Sequence, residues 1–409
     1  MIVISHPTGN ANVRAAVQAF FEHRVLRVFF TTISWNSENR FARFLPLALR
    51  TELERRSYTE IPHALVRSRP YREIGRHLSE RFQLRAFCER EEAPFSVDSV
   101  YRDLDRHVAR QIANLHDSQI VYSYEDGALA TFEMATRLGL TRIYDLPIGY
   151  WKVSREIAEI EASVSPDWAG TLNALKDSPF KGERKDQELH LAQKIIVASE
   201  FTKSTLRQFP GYLDKEIVVI PYGAPPPALS CSSPLRKNSP LRVLYVGALS
   251  QRKGLSYMVE AVSSLGAKVQ LTLIGRPTLP TVPKIEEMCN SYRWIPSLPH
   301  HRLLEEMSNH DVLLFPSLFE GFGLVITEAL SRGLAVISTP NTCAPDVLRH
   351  GKDGFIVPIR SSEEIAARLL QLADDSQLLE QMKASALERA GQLRWDTYQC
   401  SLIKAVLPG

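Results

Sequence analysis

The chain of 409 residues is too long for one ordinary hydrophobic core and predicts two or three domains. With 44% hydrophobic and 23% charged residues and a formal net charge of +3, it has a soluble globular make-up and nothing of a nucleic-acid binder. Five scattered cysteines without metal-type spacing, an N-terminus "MIVISHPTG" without a basic leader region, and no run near the ~20 apolar residues of a membrane span predict a cytoplasmic protein with reduced thiols.

In chain order, "IVIS" predicts a strand, "PTGNANVRAAVQAFFEH" a loop and helix, and "LRVFFTTIS" a second strand. Segment 50–90 then holds many arginines and no lysine among leucine, isoleucine, phenylalanine and tyrosine. It suits a solvated helical face, with Glu52, Glu54, Glu73 and Glu80 mixed in, or a basic amphipathic surface resting on anionic lipid at the inner face of a membrane. "QIVYSY" and "TRIYDLP" flank the helix "ALATFEMATRLG", and the strands "KIIVAS" and "EIVVIP" follow. Strands apolar throughout and alternating with helices predict a parallel sheet covered on both faces. Residues 1–222 form this first unit, 223–240 a linker dense in proline and serine, and 241–390 a second α/β unit. That second unit runs through "RVLYVG", "VQLTLIG", "DVLLFP", "LAVIST" and "GFIVP", and a last helix, about 390–409, is a candidate to pack back on the first unit. Two doubly wound units leave a cleft between two sets of strand C-termini, where ligands of such sheets bind.

"LFEGFGLVITEAL" places two carboxylates, Glu320 and Glu328, in a segment otherwise fit for a core. Burying them without partners costs several kcal/mol or more. Glu320 falls on a strand-to-helix loop, Gly321 and Gly323 permit a tight entry into the helix, and Glu328 follows inside it. The helix N-terminus near Gly323 and Leu324 is an anion site by its free amides, and carboxylates beside it suit a ligand with hydroxyls as well as phosphate. The bland alternative is a helix glutamate favoured by the macrodipole and a surface loop glutamate. "VLYVGALSQRKGLSYMVEAV" reads as strand, glycine turn and helix, with Arg252 and Lys253 placed to neutralise a diphosphate leaving group.

These stretches resemble the retaining glycosyltransferases of family 4, which have the GT-B architecture of two facing Rossmann-like domains. "PSLFEGFGLVITEAL" matches the family's glutamates eight apart, and "GALSQRKG" its "G-x-L-x-x-x-K-G" turn. "ASEFTKSTL", "VIPYGA" and "GKDGFIVP" are similar to further landmarks in the same order. The resemblance implies that Glu328 holds the ribose hydroxyls and Glu320 the donor-sugar hydroxyls, with Lys253 and Arg252 on the diphosphate. It implies further donor contacts at Gly247, Gly321, Phe322, Gly323 and Leu324, at Ile295 within the base-cupping "YRWIPSLP", and at Gly9 of a first-domain glycine loop.

Two positions depart from the family pattern. Ala248 stands where many members have arginine, leaving Arg252 or Arg276 to supply the contact, and "IYDLPIGYW" lacks the family's histidine, leaving His6, Glu125 or Asp126 as candidates. "DLD", Asp103 to Asp105, fits the DxD metal signature of the other large glycosyltransferase architecture. Its neighbours recur at helical spacing, however, and residues two apart on a helix diverge, so a solvated helical face is expected and no metal or other cofactor. The resemblance implies retaining transfer from a nucleotide diphosphate sugar to a hydroxyl of a saccharide, glycolipid or small molecule. Alternatives are an epimerase or phosphorylase of the same architecture, or a non-catalytic nucleotide-sugar-binding partner of an active transferase.

Overall fold

Apolar runs of four to six residues separated by amphipathic helices leave the chain one economical arrangement, parallel strands with both faces covered. A computed structural model describes residues 1–35, 56–229, 239–278 and 282–407 and has that arrangement twice. The first sheet comprises β1 (Ile2–Ser5), β2 (Leu26–Thr31), β3 (Val66–Ser68), β4 (Ile120–Tyr124), β5 (Thr141–Leu146), β6 (Lys194–Val197) and β7 (Glu216–Val219). Its order is β3-β2-β1-β4-β5-β6-β7, and all neighbours run parallel. The second comprises β8 (Leu241–Val246), β9 (Val269–Ile274), β10 (Arg293–Ile295), β11 (Val312–Phe315), β12 (Ala335–Ser338) and β13 (Gly354–Ile356), in the order β10-β9-β8-β11-β12-β13.

Each sheet reverses its winding once, between β1 and β4 and between β8 and β11. The loops that leave such neighbouring strands part to opposite faces and open a crevice at the strand C-termini. In register, Ile4 faces Tyr122 in the first sheet, and Val312 and Leu313 face Val243 and Leu244 in the second. The topology thereby sets the loop after β8, with Arg252 and Lys253, beside the loop after β11, with Glu320.

The two domains touch along several elements. Helix Trp395–Val406 packs on helix Ala11–Glu22, and Gln399 donates to the Ala15 carbonyl at 3.2 Å. Helix Trp151–Val164 follows β5, yet Ile157 and Trp168 join the core of the second sheet. Gly321 of the second domain lies so close to the first that a Cβ there would sit 1.8 Å from the Pro147 carbonyl oxygen.

Asp105 corrects the expectation of a solvated face on helix Val97–Ile112. It is 5% exposed and accepts the amides of Ala130 at 2.7 Å and Thr131 at 2.8 Å, so it satisfies the first turn of helix Leu129–Arg137. Asp103 points elsewhere, to Arg69 at 3.0 Å. Residues 50–55 of the arginine-rich segment and 230–238 of the linker, including Cys231, lie outside the described residues. Among the described residues no helix is long and apolar enough to cross a membrane.

Candidate functional site

Between the two sheets lies a cavity of about 390 Å³, walled by the β8 and β11 loops on one side and the β1, β4 and β5 loops on the other. From the second domain come Gly247, Lys253, Glu320, Phe322, Gly323 and Leu324; from the first come His6, Asn10, Asn12, Tyr101, Tyr124 and Pro147. Among the described residues, Glu320 is the one carboxylate on this wall.

The local backbone explains how the cation meets the carboxylate. Leu318 N donates to the Arg252 carbonyl at 2.9 Å, which staples the β8 and β11 loops together, and Asn341 Nδ2, from the loop after β12, donates to the Leu318 carbonyl at 2.8 Å. Glu320 N donates to Asn341 O at 3.1 Å. Gly323 then takes φ +89°, a left-handed turn into helix Leu324–Ser331 that a side chain would strain. On this frame the Lys253 ammonium contacts Glu320 Oε2, and Arg252 donates to the Phe319 carbonyl at 2.5 Å and lies 3.4 Å from the same carboxylate oxygen. Lys253 Nζ also stands 4.8 Å from the centre of the Phe315 ring. Burial pushes the Lys253 ammonium well below its ordinary range and the Arg252 charge pushes the same way, while the Glu320 carboxylate in contact with it opposes both. The arrangement is a desolvated cation, a carboxylate and the amides of a helix N-terminus around one space, able to hold an anion and hydroxyls together.

The remaining expected residues stand outside this wall. Gly321 turns its carbonyl to the first domain, where Ser199 Oγ donates to it at 2.6 Å and Thr202 Oγ1 at 2.9 Å. Arg252 and Phe319 line a second interdomain pocket of about 240 Å³. Glu328 Oε1 accepts from His300 Nε2 at 2.9 Å, and that contact pushes the His300 imidazole up from its ordinary value. Ile295 ends β10 and gives its carbonyl to Gly275 N at 3.0 Å. Gly9 lies against the Tyr58 ring, and its carbonyl accepts from Arg14 Nε at 3.0 Å. Arg276 is exposed.

At the first-domain side, burial pushes His6 down to about 4, so its imidazole is neutral near pH 7. Glu125 pairs with Lys185 at 3.1 Å and Asp126 with Arg184 at 2.7 Å. Asp145 is raised to about 7 by burial, against the hydrogen bond from Tyr122 at 2.6 Å that favours its charge. Asp145 is 1% exposed and reaches the cavity only through its neighbours.

One group has no sequence signal of its own. Glu161, fully buried on helix Trp151–Val164, accepts from Arg360 Nε at 2.6 Å, Gln251 Nε2 at 2.8 Å and Tyr257 Oη at 3.2 Å. Thr171 supports the same turn, accepting from Ser250 Oγ at 2.8 Å and, through Oγ1, from Gln251 N at 2.9 Å. First-domain residues therefore hold the turn that presents Arg252 and Lys253.

The fold is that of GT-B proteins. Sucrose-phosphate synthase from Thermosynechococcus elongatus superposes with a TM-score of 0.66 at 15% identity over 98% of this chain and 97% of that one. Anabaena HepE, solved in complex with UDP, superposes with a TM-score of 0.64 at 17% identity over 98% of each chain. Within that fold, residues 232–389 match the family model described as Glycosyl transferases group 1. A putative colanic acid biosynthesis glycosyltransferase, WcaL of Salmonella typhimurium, is 27% identical over 169 residues, 37% of this chain and 41% of that protein. The chain thus matches about two fifths of the length of this curated relative.

Proposed function

We propose that the protein transfers a sugar from a nucleotide diphosphate sugar to an acceptor hydroxyl with retention of anomeric configuration and without a metal. The observation that carries this reading is the contact of Lys253 with Glu320 beside the N-terminus of helix Leu324–Ser331, inside the cleft between the sheets. The cation and helix amides would neutralise the departing diphosphate, and Arg252 adds a second positive charge at the same carboxylate. Glu320 exchanges its lysine contact for donor-sugar hydroxyls when the donor binds, and Glu328, outside the cavity wall, takes the ribose hydroxyls.

Within the retaining reading, a front-face route is preferred to double displacement. Among the described residues Glu320 is the one carboxylate on the wall, and it is committed first to Lys253 and then to donor hydroxyls, not to attack as a nucleophile. A front-face route needs none, since the leaving phosphate oxygen takes the acceptor's proton while the protein positions both substrates. His6, neutral and at the cavity, can accept or donate a hydrogen bond to the acceptor without adding charge. The arginine-rich segment supports a peripheral position at a membrane face for this reaction.

The test is donor turnover with an acceptor panel in the presence of a chelator, with product configuration read from the anomeric proton coupling. Retained configuration in chelator supports the reading. Inverted product, or turnover abolished by chelator and restored by a divalent ion, contradicts it. An altered nucleotide sugar formed without acceptor would assign the site to an epimerase.

A further inference from the structure

We propose that helix Tyr71–Arg81 and the turn after it dock on an anionic bilayer through an apolar face rimmed by arginines. Six of the fourteen large apolar side chains exposed among the described residues fall between 71 and 87: Tyr71 at 73%, Ile74 at 46%, Leu78 at 49%, Phe82 at 65%, Leu84 at 49% and Phe87 at 48%. Positions 71, 74, 78 and 82 recur every three or four residues, which aligns them along one side of the helix. The opposite side is fixed inward by Glu73, 2% exposed and clamped by Arg56 at 3.0 Å and Arg76 at 2.9 Å. The helix is thus held with its apolar side outward, the reverse of an ordinary surface helix.

Charge decides what covers this face. Residues 56–90 hold eight arginines and four glutamates, with no lysine or aspartate. All four glutamates are engaged: Glu60 with Arg14 at 3.0 Å, Glu73 as above, Glu80 with Arg76 at 2.6 Å and Glu89 with Arg85 at 3.4 Å. Arg72, Arg81 and Arg90 have no carboxylate partner among the described residues, and Arg81 and Arg90 are exposed. A second copy docking by two-fold symmetry would bring this arginine rim against itself, whereas anionic headgroups neutralise it while the acyl boundary takes the apolar side chains.

The location serves the cleft. Helix Tyr71–Arg81 packs on helix Val97–Ile112, whose Tyr101 lines the central cavity. A bilayer held here lies beside the first-domain side of the cavity, and this part rests on the transferase reading: the acceptor class it favours is a lipid-linked hydroxyl.

The test is co-sedimentation of the full chain with vesicles of phosphatidylcholine alone or mixed in equal parts with phosphatidylglycerol, at low and high salt. Two double variants accompany it, Leu78→Asp with Phe82→Asp, and Arg81→Glu with Arg85→Glu; all four positions are exposed, and the thermal melt checks folding. The wild type is expected to partition onto the mixed vesicles at least about tenfold more strongly than onto phosphatidylcholine, with most of that preference lost in high salt. Each variant is expected to lose at least about tenfold of the binding. Wild type that stays in solution, aspartate variants that bind unchanged, or a wild-type oligomer that both variants dissociate would overturn the proposal, the last by giving the face to a second copy. Donor binding measured in solution separates the two readings. A chain that binds donor but ignores vesicles loses only the bilayer surface, and one that binds vesicles but no donor loses only the transferase reading.

Discussion

Glu161→Gln changes one charge at the centre of the contact between helix Trp151–Val164 and the turn that carries Lys253. The wild-type carboxylate is fully buried and accepts three donors, from Arg360 at 2.6 Å, Gln251 at 2.8 Å and Tyr257 at 3.2 Å. The amide keeps the volume, gives up the charge and presents its own two donors to a cluster already made of donors. Losing a charge-assisted bond costs about 1.5–3 kcal/mol and orphaning a buried donor about 1–3 kcal/mol. The sum is reduced because the Arg360 side chain is 26% exposed and can turn to water. We therefore expect a net loss of about 2–3 kcal/mol. A chain of two domains does not unfold in a single step, so the quantity to measure is the coupling in a double-mutant cycle with Arg360→Gln, followed by urea unfolding. Coupling of about 1–3 kcal/mol is expected, together with weaker donor binding because Gln251 adjoins Arg252 and Lys253. Additivity within about 0.5 kcal/mol, with donor affinity unchanged, would refute the claim that this carboxylate holds the turn.

Gly321→Ala puts a Cβ 1.8 Å from the Pro147 carbonyl oxygen, a backbone atom that cannot swing aside, so the domains must part. We expect a larger radius of gyration by small-angle scattering and donor turnover lowered by at least about tenfold; an unchanged radius would contradict this. Asp145→Asn tests a pH effect. The folded carboxyl is raised to about 7 by burial, so its contribution is full below the unfolded carboxylate value and is lost as pH rises through about 7. The wild type should therefore lose more urea resistance than the variant between pH 4 and pH 7, and parallel profiles would refute the assignment. Asp105→Ala removes the acceptor for Ala130 N and Thr131 N and should cost about 1–2 kcal/mol in urea unfolding, whereas Asp103→Asn should leave donor turnover unchanged. Loss of turnover in Asp103→Asn alone, restored by a divalent ion, would reopen the metal reading.

The two sheets were legible because their strands are continuous apolar runs, a pattern that only a sheet covered on both faces accommodates. The meeting of Lys253 and Glu320 was only half legible: the motifs indicate the residues, but their adjacency comes from the winding reversal between β8 and β11. Glu161 left no mark, since "WKVSREIAEIEASV" also contains Glu156 and Glu159, and its ion-pair partner Arg360 lies 199 positions away. Asp105 misled for a related reason. Helical periodicity marks the apolar face but is silent on a carboxylate beside it that accepts the amides of another helix. The outward apolar side of helix Tyr71–Arg81 has the same spacing as an inward one, and only its neighbours fix the direction.

The most direct measurement is binding and slow hydrolysis of a panel of UDP-, GDP- and ADP-sugars by the wild type, Lys253→Ala and Glu320→Ala, without added metal. The account predicts one preferred donor, bound and slowly hydrolysed by the wild type, with affinity or hydrolysis lowered by at least about tenfold in both variants, since each removes one side of the charge arrangement at the cavity. No binding to any nucleotide sugar, or binding and hydrolysis unchanged in both variants, would contradict it.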